Sequence, residues 1–197
     1  MKTFYNKEEA KKIFFTSDTH FNHENIIKFC NRPFKDGPKQ DKELIRRWNE
    51  KVPKDGIVFH LGDVGFGSRE IISTILHQLN GKIYLIIGNH DWKNIIGKHD
   101  DRFEDITQQA YIKIENHKII LNHYPMLCYA GTYKRENPTW QLFGHVHTSP
   151  YSDAGLDIPR LDMLFPCQYD VGVDNNDFTP VSYEEVKKII EDKLKND

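Results

Sequence analysis

Cysteine is scarce in this chain, with three among 197 residues. Cys30, Cys128 and Cys167 are an odd set without metal-type spacing and lie among apolar or aromatic neighbours, so they read as reduced and mostly structural thiols. Long hydrophobic runs are missing too, and no stretch approaches the ~18 residues of a membrane span. The first twelve residues are charged and lack the apolar core of a secretory signal. These absences predict a soluble, cytoplasmic protein with no membrane partner. Charge of one sign is also lacking: 27 basic and 29 acidic residues leave a net −2, which gives no bulk signal for nucleic acid or an anionic surface. No internal repeat or low-complexity segment interrupts the chain.

What is present supports a packed core. Ile, Leu, Val and Phe make up about 27% of the residues, above the ~20% below which chains stay disordered. The length fits one domain over residues 1–197. Short apolar runs at 13–16, 57–61, 83–87, 110–114, 119–121 and 140–143 are too short for helices and lack strict alternation, as strands buried on both faces do. Helical spacing appears over 41–51, after Ser68 as N-cap, and after Ser182, where Glu185 completes a capping box. Segments 31–40, 129–138 and 148–167 read as loops, the last long enough to suggest a functional role. Strands alternate with helices at first, then run together before a final helix. This order predicts an α/β layered fold with at least one mixed sheet.

Ten histidines are the unusual count, because His is the commonest metal ligand and titrates near neutral pH. Five of them follow strand-type runs. Asp18-Thr19-His20 follows the first, Gly62-Asp63 the second, Gly88-Asn89-His90-Asp91 the third, Asn122-His123 the fifth and Gly144-His145-Val146-His147 the sixth. In α/β sheets such carboxyl ends converge on one crevice. Imidazole mixed with carboxylate and amide, without thiolate, suits Mn, Fe, Zn, Co or Ni. Seven candidate ligands, Asp18, His20, Asp63, Asn89, His123, His145 and His147, are too many for one ion and about right for two.

This ordered set resembles the signature of the calcineurin-like metallophosphoesterase superfamily, and Cys30-Asn31-Arg32-Pro33-Phe34 and His123-Tyr124-Pro125 are similar to a small bacterial and phage group within it. The resemblance implies two mixed β-sheets packed together and flanked by helices. It implies that Asp18, His20, Asp63 and His147 hold one divalent ion and that Asp63, Asn89, His123 and His145 hold a second, with Asp63 bridging. His90 would be a catalytic residue near the leaving group, and a hydroxide shared by the metals would attack the phosphate ester.

Departures from the pattern bear on substrate. The protein phosphatase branch has Gly-Asp-x-x-Asp-Arg-Gly where this chain has Gly62-Asp63-Val64-Gly65-Phe66-Gly67, and Ile87 replaces an arginine before Gly88. Arg is the natural bidentate clamp for phosphate. Its absence at both positions favours a phosphodiester or small nucleotide over a phosphoprotein, and the missing second acid of that motif leaves the orienting partner of His90 open. His23, Arg32 and Tyr124 are further candidates for substrate contact, ranked above Arg160. His60 reads as a hydrogen-bonded core residue, and His77, His99 and His117 as solvated ones. The alternatives are a non-catalytic scaffold, or a nuclease for single-stranded nucleic acid if Arg32, Lys134, Arg135 and Arg160 form a basic rim.

Overall fold

The computed structural model describes residues 1–98, 100–134, 136–147 and 159–196. His99, Arg135 and the first eleven residues of the 148–167 loop lie outside them. Two five-stranded mixed sheets form the centre. One has the order β10-β2-β3-β4-β5, built from β2 (Ile13–Thr16), β3 (Ile57–His60), β4 (Lys82–Ile86), β5 (Phe103–Thr107) and β10 (Val181–Ser182). Its inner pairings are parallel, and β10 joins antiparallel to β2. The other has the order β1-β6-β7-β8-β9, from β1 (Phe4–Tyr5), β6 (Gln109–Ile114), β7 (His117–Asn122), β8 (Trp140–Phe143) and β9 (Gln168–Asp170). Here β6 and β7 form an antiparallel hairpin, while β7, β8 and β9 run parallel.

Alternation along the strands explains why the fold is layered. Ile13, Phe15, Phe59 and Leu61 point into a core shared with Ile112, Ile119, Leu121, Trp140 and Leu142 of the facing sheet. Phe14, Val58, Ile83 and Leu85 point the other way, into a second core. That outer face is covered by α3 (Gly37–Lys51) through Leu44 and Trp48, and by α4 (Arg69–Leu76) through Ile72, Ile75 and Leu76. A strand buried on both faces needs no polar alternation, which is why β2 and β3 read as continuous apolar runs. The last helix, α6 (Tyr183–Asn196), adds Val186 and Ile190 to the first core.

All six expected strands form, two with the expected ends and four with ends shifted by one or two residues. The two capped helices also form. Ser68 accepts the Ile71 N–H, and Ser182 and Glu185 exchange reciprocal bonds at the start of α6. One boundary needs correction: the expected loop over 31–40 ends at Asp36, whose side chain caps α3 by accepting the Lys39 N–H. Gly37 and Pro38 belong to the first helical turn, where proline's missing N–H is no loss.

Candidate metal centre

The parallel strands deliver their polar segments to one end of both sheets. Past β2, β3 and β4 the chain reaches Asp18 to His20, Asp63, and Asn89 to Asp91; past β7 and β8 it reaches His123 and His145 to His147. Backbone bonds stitch these turns together: Asp18 N–H to Gly62 O at 2.9 Å, His20 N–H to Asp63 O at 3.1 Å and Gly144 N–H to His123 O at 3.0 Å. Four candidate ligands sit in the left-handed region, with φ of 57° at Asp18, 49° at His20, 56° at Asp63 and 69° at His145. Such residues cost on the order of 1–3 kcal/mol each and cluster where function over-determines the backbone. Gly62, at φ 99°, makes the crowding possible. A Cβ there would lie 2.6 Å from the Gly88 Cα and 2.7 Å from His123 Nδ1.

Among the described residues two donor clusters form from the expected ligands, and a third joins Cys30 and Asp174 to His147. Ligand atoms of Asp18, His20 and His147 lie within 4.8 Å of one another, as do those of Asp63, His123 and His145. Asp63 Oδ2 stands between the groups, 3.7 Å from His20 Nε2 and 3.6 Å from His123 Nε2. Asn89 Oδ1 lies 3.0 Å from His123 Nε2.

The donor chemistry fits divalent cations. Asp18 Oδ1 and His20 Nε2 are buried without a hydrogen-bond partner, an arrangement that costs stability unless something positive meets them. His123 Nδ1 lies 2.7 Å from the Leu61 carbonyl and must donate to it. Nε2 of the same ring faces the Asn89 oxygen. His147 repeats the device, with Nδ1 2.6 Å from Asp174 Oδ2 and Nε2 3.8 Å from Asp18 Oδ1. Burial pulls the His147 pKa down, but the bonds to Asp174 and Cys30 and the nearby Asp18 outweigh it and raise it to about 11. The surroundings of Nε2 thus favour positive charge.

Three residues that sequence reasoning missed or misplaced hold this array. Asp91 is fully buried and accepts three backbone N–H groups, from Asp63 at 2.8 Å, Val64 at 2.9 Å and Gly88 at 2.8 Å. It fixes the ligand-bearing turns and is occupied there, so it does not orient His90. Asp174 orients His147 and is itself held by Arg32 through two bonds, at 2.7 and 2.8 Å. The expectation that Arg32 reaches substrate is therefore corrected. Its side chain is buried, and its remaining donors go to the Asp18 and Thr19 carbonyls and to Gln40 Oε1. All five guanidinium N–H groups are committed. Asp174 carried a signal, because it follows the β9 strand end in Val171-Gly172-Val173-Asp174, the same pattern that exposed the other turns.

A cavity of about 480 Å³ opens on the clusters, lined by His20, Asp63, Asn89, His90, His145 and His147, with His23 and Phe66 on its wall. His90 Nε2 is 3.9 Å from Asp63 Oδ2, its side chain is 46% exposed, and its backbone N–H bonds Asp63 Oδ1 at 2.9 Å. His23 Nδ1 lies 3.2 Å from His20 Nδ1, and its ring packs on Phe66 at 4.2 Å between centroids. It also opens α2 (Glu24–Phe29). Tyr124 is exposed at the edge, packed edge-on against His123 and His145. The basic rim is not assembled among the described residues. Arg32 is buried, and Lys134 lines a separate cavity with Pro138 and Phe165. His117 is not a solvated residue but stacks on Trp140 at 4.0 Å and bonds the Tyr183 hydroxyl.

His60 is a satisfied core histidine. Nδ1 accepts the Gly62 N–H, so Nε2 donates to Thr19 Oγ1, 2.9 Å away. Burial pushes its pKa from 6.5 down to about 3. The unfolded chain binds this proton below pH 6.5 and the folded one does not, so the His60 contribution is complete above that pH and is lost as pH falls toward 3. In metal-free protein, urea unfolding at pH 7.5 and pH 5 should show a larger loss of stability for the wild type than for His60→Gln. Equal losses would contradict the assignment.

With this geometry in hand, the chain belongs to the calcineurin-like phosphoesterase superfamily, whose domain description matches residues 12–160. Metal-dependent hydrolysis of phosphate esters is the chemistry of that class. An uncharacterized protein of Methanocaldococcus jannaschii is 33% identical over 183 residues, covering 92% of each chain. The gene 66 protein of Mycobacterium phage D29 is 27% identical over 207 residues, covering 91% of this chain and 96% of its own. A crystal structure of a protein of unknown function from Aquifex aeolicus shares the fold, with a TM-score of 0.69 and 24% identity over 90% of this chain and 98% of that one. Among the described residues, no helix is long and apolar enough to cross a membrane.

Proposed function

We propose that this chain is a two-metal phosphodiesterase acting on a small diester, with His90 at the leaving group. Asp18, His20, Asp63 and His147 would hold one divalent ion, and Asp63, Asn89, His123 and His145 the other. The observation that carries this reading is the pair of partnerless buried atoms, Asp18 Oδ1 and His20 Nε2, beside an Asp63 Oδ2 within 3.7 Å of ring nitrogens from both clusters. When bound, such ions supply a nucleophile from water at neutral pH and neutralise the phosphoryl oxygens.

The protein's own residues do the rest. With two divalent ions bound, the two ligand aspartates, Asp18 and Asp63, would leave a net positive charge facing the cavity, which would favour a phosphate anion there. Asp91 and the Arg32–Asp174 pair hold the turns and the His147 ring, so little reorganisation accompanies the reaction. His90 is exposed at the cavity, tethered through its backbone to Asp63, and can donate a proton to the departing oxygen. Among the described residues, no arginine lines this cavity. Without a bidentate clamp the site gains little from the extra charge of a monoester, which favours the diester.

The test compares hydrolysis of an aryl phosphate diester and monoester by protein loaded with Mn, Fe, Co, Ni or Zn. The diester should turn over with the higher kcat/KM. No hydrolysis with any metal would overturn the reading. His90→Ala should lower kcat by about 10²-fold while bound metal is retained. Loss of metal in that variant would make His90 a ligand instead.

A further inference from the structure

A second cavity of about 320 Å³ opens beside the first, with Asn89 lining both. Trp92, Gln108, Asn122 and Tyr124 form its polar and aromatic walls. We propose that it binds the nucleobase of the substrate, so that the diester hydrolysed at the metal centre carries a nucleoside on one of its ester oxygens. This rests on the phosphodiesterase reading and extends it to a substrate class.

Two large aromatic side chains are left open here. Trp92 is 55% exposed and Tyr124 45% exposed, one past β4 and the other past β7. Trp92 lies on the short helix α5 (Asp91–Asn94), next to the fully buried Asp91. The Tyr124 ring packs edge-on against the His123 and His145 imidazoles, with centroids 4.9 and 4.7 Å away. Rigid aromatic faces bind planar ligands at small entropic cost.

The polar groups suit a base edge. Among the described residues, the Trp92 indole N–H, the Tyr124 hydroxyl and the Gln108 amide have no hydrogen-bond partner. The Asn122 oxygen is taken by the Tyr124 N–H at 2.8 Å, which leaves its NH2 group to donate. Donors and acceptors of this kind match the mixed edge of a heteroaromatic ring. Among the described residues, no lysine or arginine lines the cavity, so a second phosphate would find no counter-charge from them. The same lack of cationic residues argues against a long single strand, whose binding rests on many phosphate contacts. A short nucleotide diester is the substrate class that uses what the cavity offers.

The chain contains its own probe. Of its three tryptophans, Trp48 and Trp140 are each 1% exposed and only Trp92 reaches solvent. Adenosine monophosphate added to the 197-residue protein should quench the exposed component of tryptophan emission saturably. Ribose phosphate, which has no base, should leave that emission unchanged. Tyr124→Ala, with Trp92 still present as reporter, should raise the half-saturating concentration about tenfold, the effect of losing one stacking surface. By calorimetry, Trp92→Ala should weaken adenosine monophosphate by a similar factor while Mn content stays at the wild-type value. Equal responses to the two phosphates, no saturable quenching, or unchanged affinity in Trp92→Ala would overturn the proposal. Hydrolysis of a simple aryl diester is read separately. If it persists while these binding tests fail, the base site is wrong and the phosphodiesterase reading stands; if it is absent, that reading has failed.

Discussion

Replacing Asp63 with Asn should lower diester turnover by at least about 10²–10³-fold, the scale of removing one preorganised electrostatic contact from a transition state. Bound metal should fall from two ions per chain to one or fewer. The substitution keeps the side chain's shape, and Oδ1 can still accept the His90 N–H. It replaces the oxygen that stands between His20 Nε2 and His123 Nε2 with an NH2 group that cannot ligate. Stability should move the other way in metal-free protein. Asp63 and Asp18 are both buried at the same site, and removing one of two neighbouring buried charges relieves repulsion and desolvation. An active variant with two bound metals would rule out the bridging role. A large loss of metal-free stability would show that Asp63 serves the fold rather than the ions.

Arg32→Met should destabilise the protein by about 3–5 kcal/mol, the cost of breaking a buried ion pair by removing one partner. The guanidinium gives the Asp174 carboxylate two donors, beside the one from His147 Nδ1, and also serves two ligand-turn carbonyls. Methionine leaves them facing an apolar stem. Because Asp174 holds the His147 ring, affinity for the ion on that side should also fall by about 10–100-fold. Against a total stability of roughly 5–15 kcal/mol for a domain, the variant lies near unfolding. Arg32→Lys, which keeps the charge but has three donors, is the milder companion. Urea denaturation reads the first effect and metal titration the second. In metal-saturated Arg32→Lys, KM for the diester should equal that of the wild type. A raised KM with normal stability would return Arg32 to the substrate.

Much of this was legible in the residues. The strands β2, β3, β7 and β8 announced themselves because each is buried on both faces, and the polar residues just past them stood out for the same reason. What was hidden follows a physical pattern. The strands β1, β9 and β10 are two or three residues long, and β5 is an edge strand carrying Glu104 and Asp105. No periodicity marks them. Asp91 looks like an ordinary turn residue until the fold shows which amides it holds, and the strand-end signal at Asp174 is muted because β9 is only three residues long. Arg32 was visible but misassigned, since a loop arginine and a buried clamp share the same local sequence. Only contacts 142 residues apart in the chain distinguish them.

Metal analysis tests the central claim most directly. Protein saturated with Mn, freed of excess ion by gel filtration and measured by elemental analysis should hold two ions per chain, falling to one or fewer in Asp63→Asn. A wild type that retains no metal under these conditions would contradict the account.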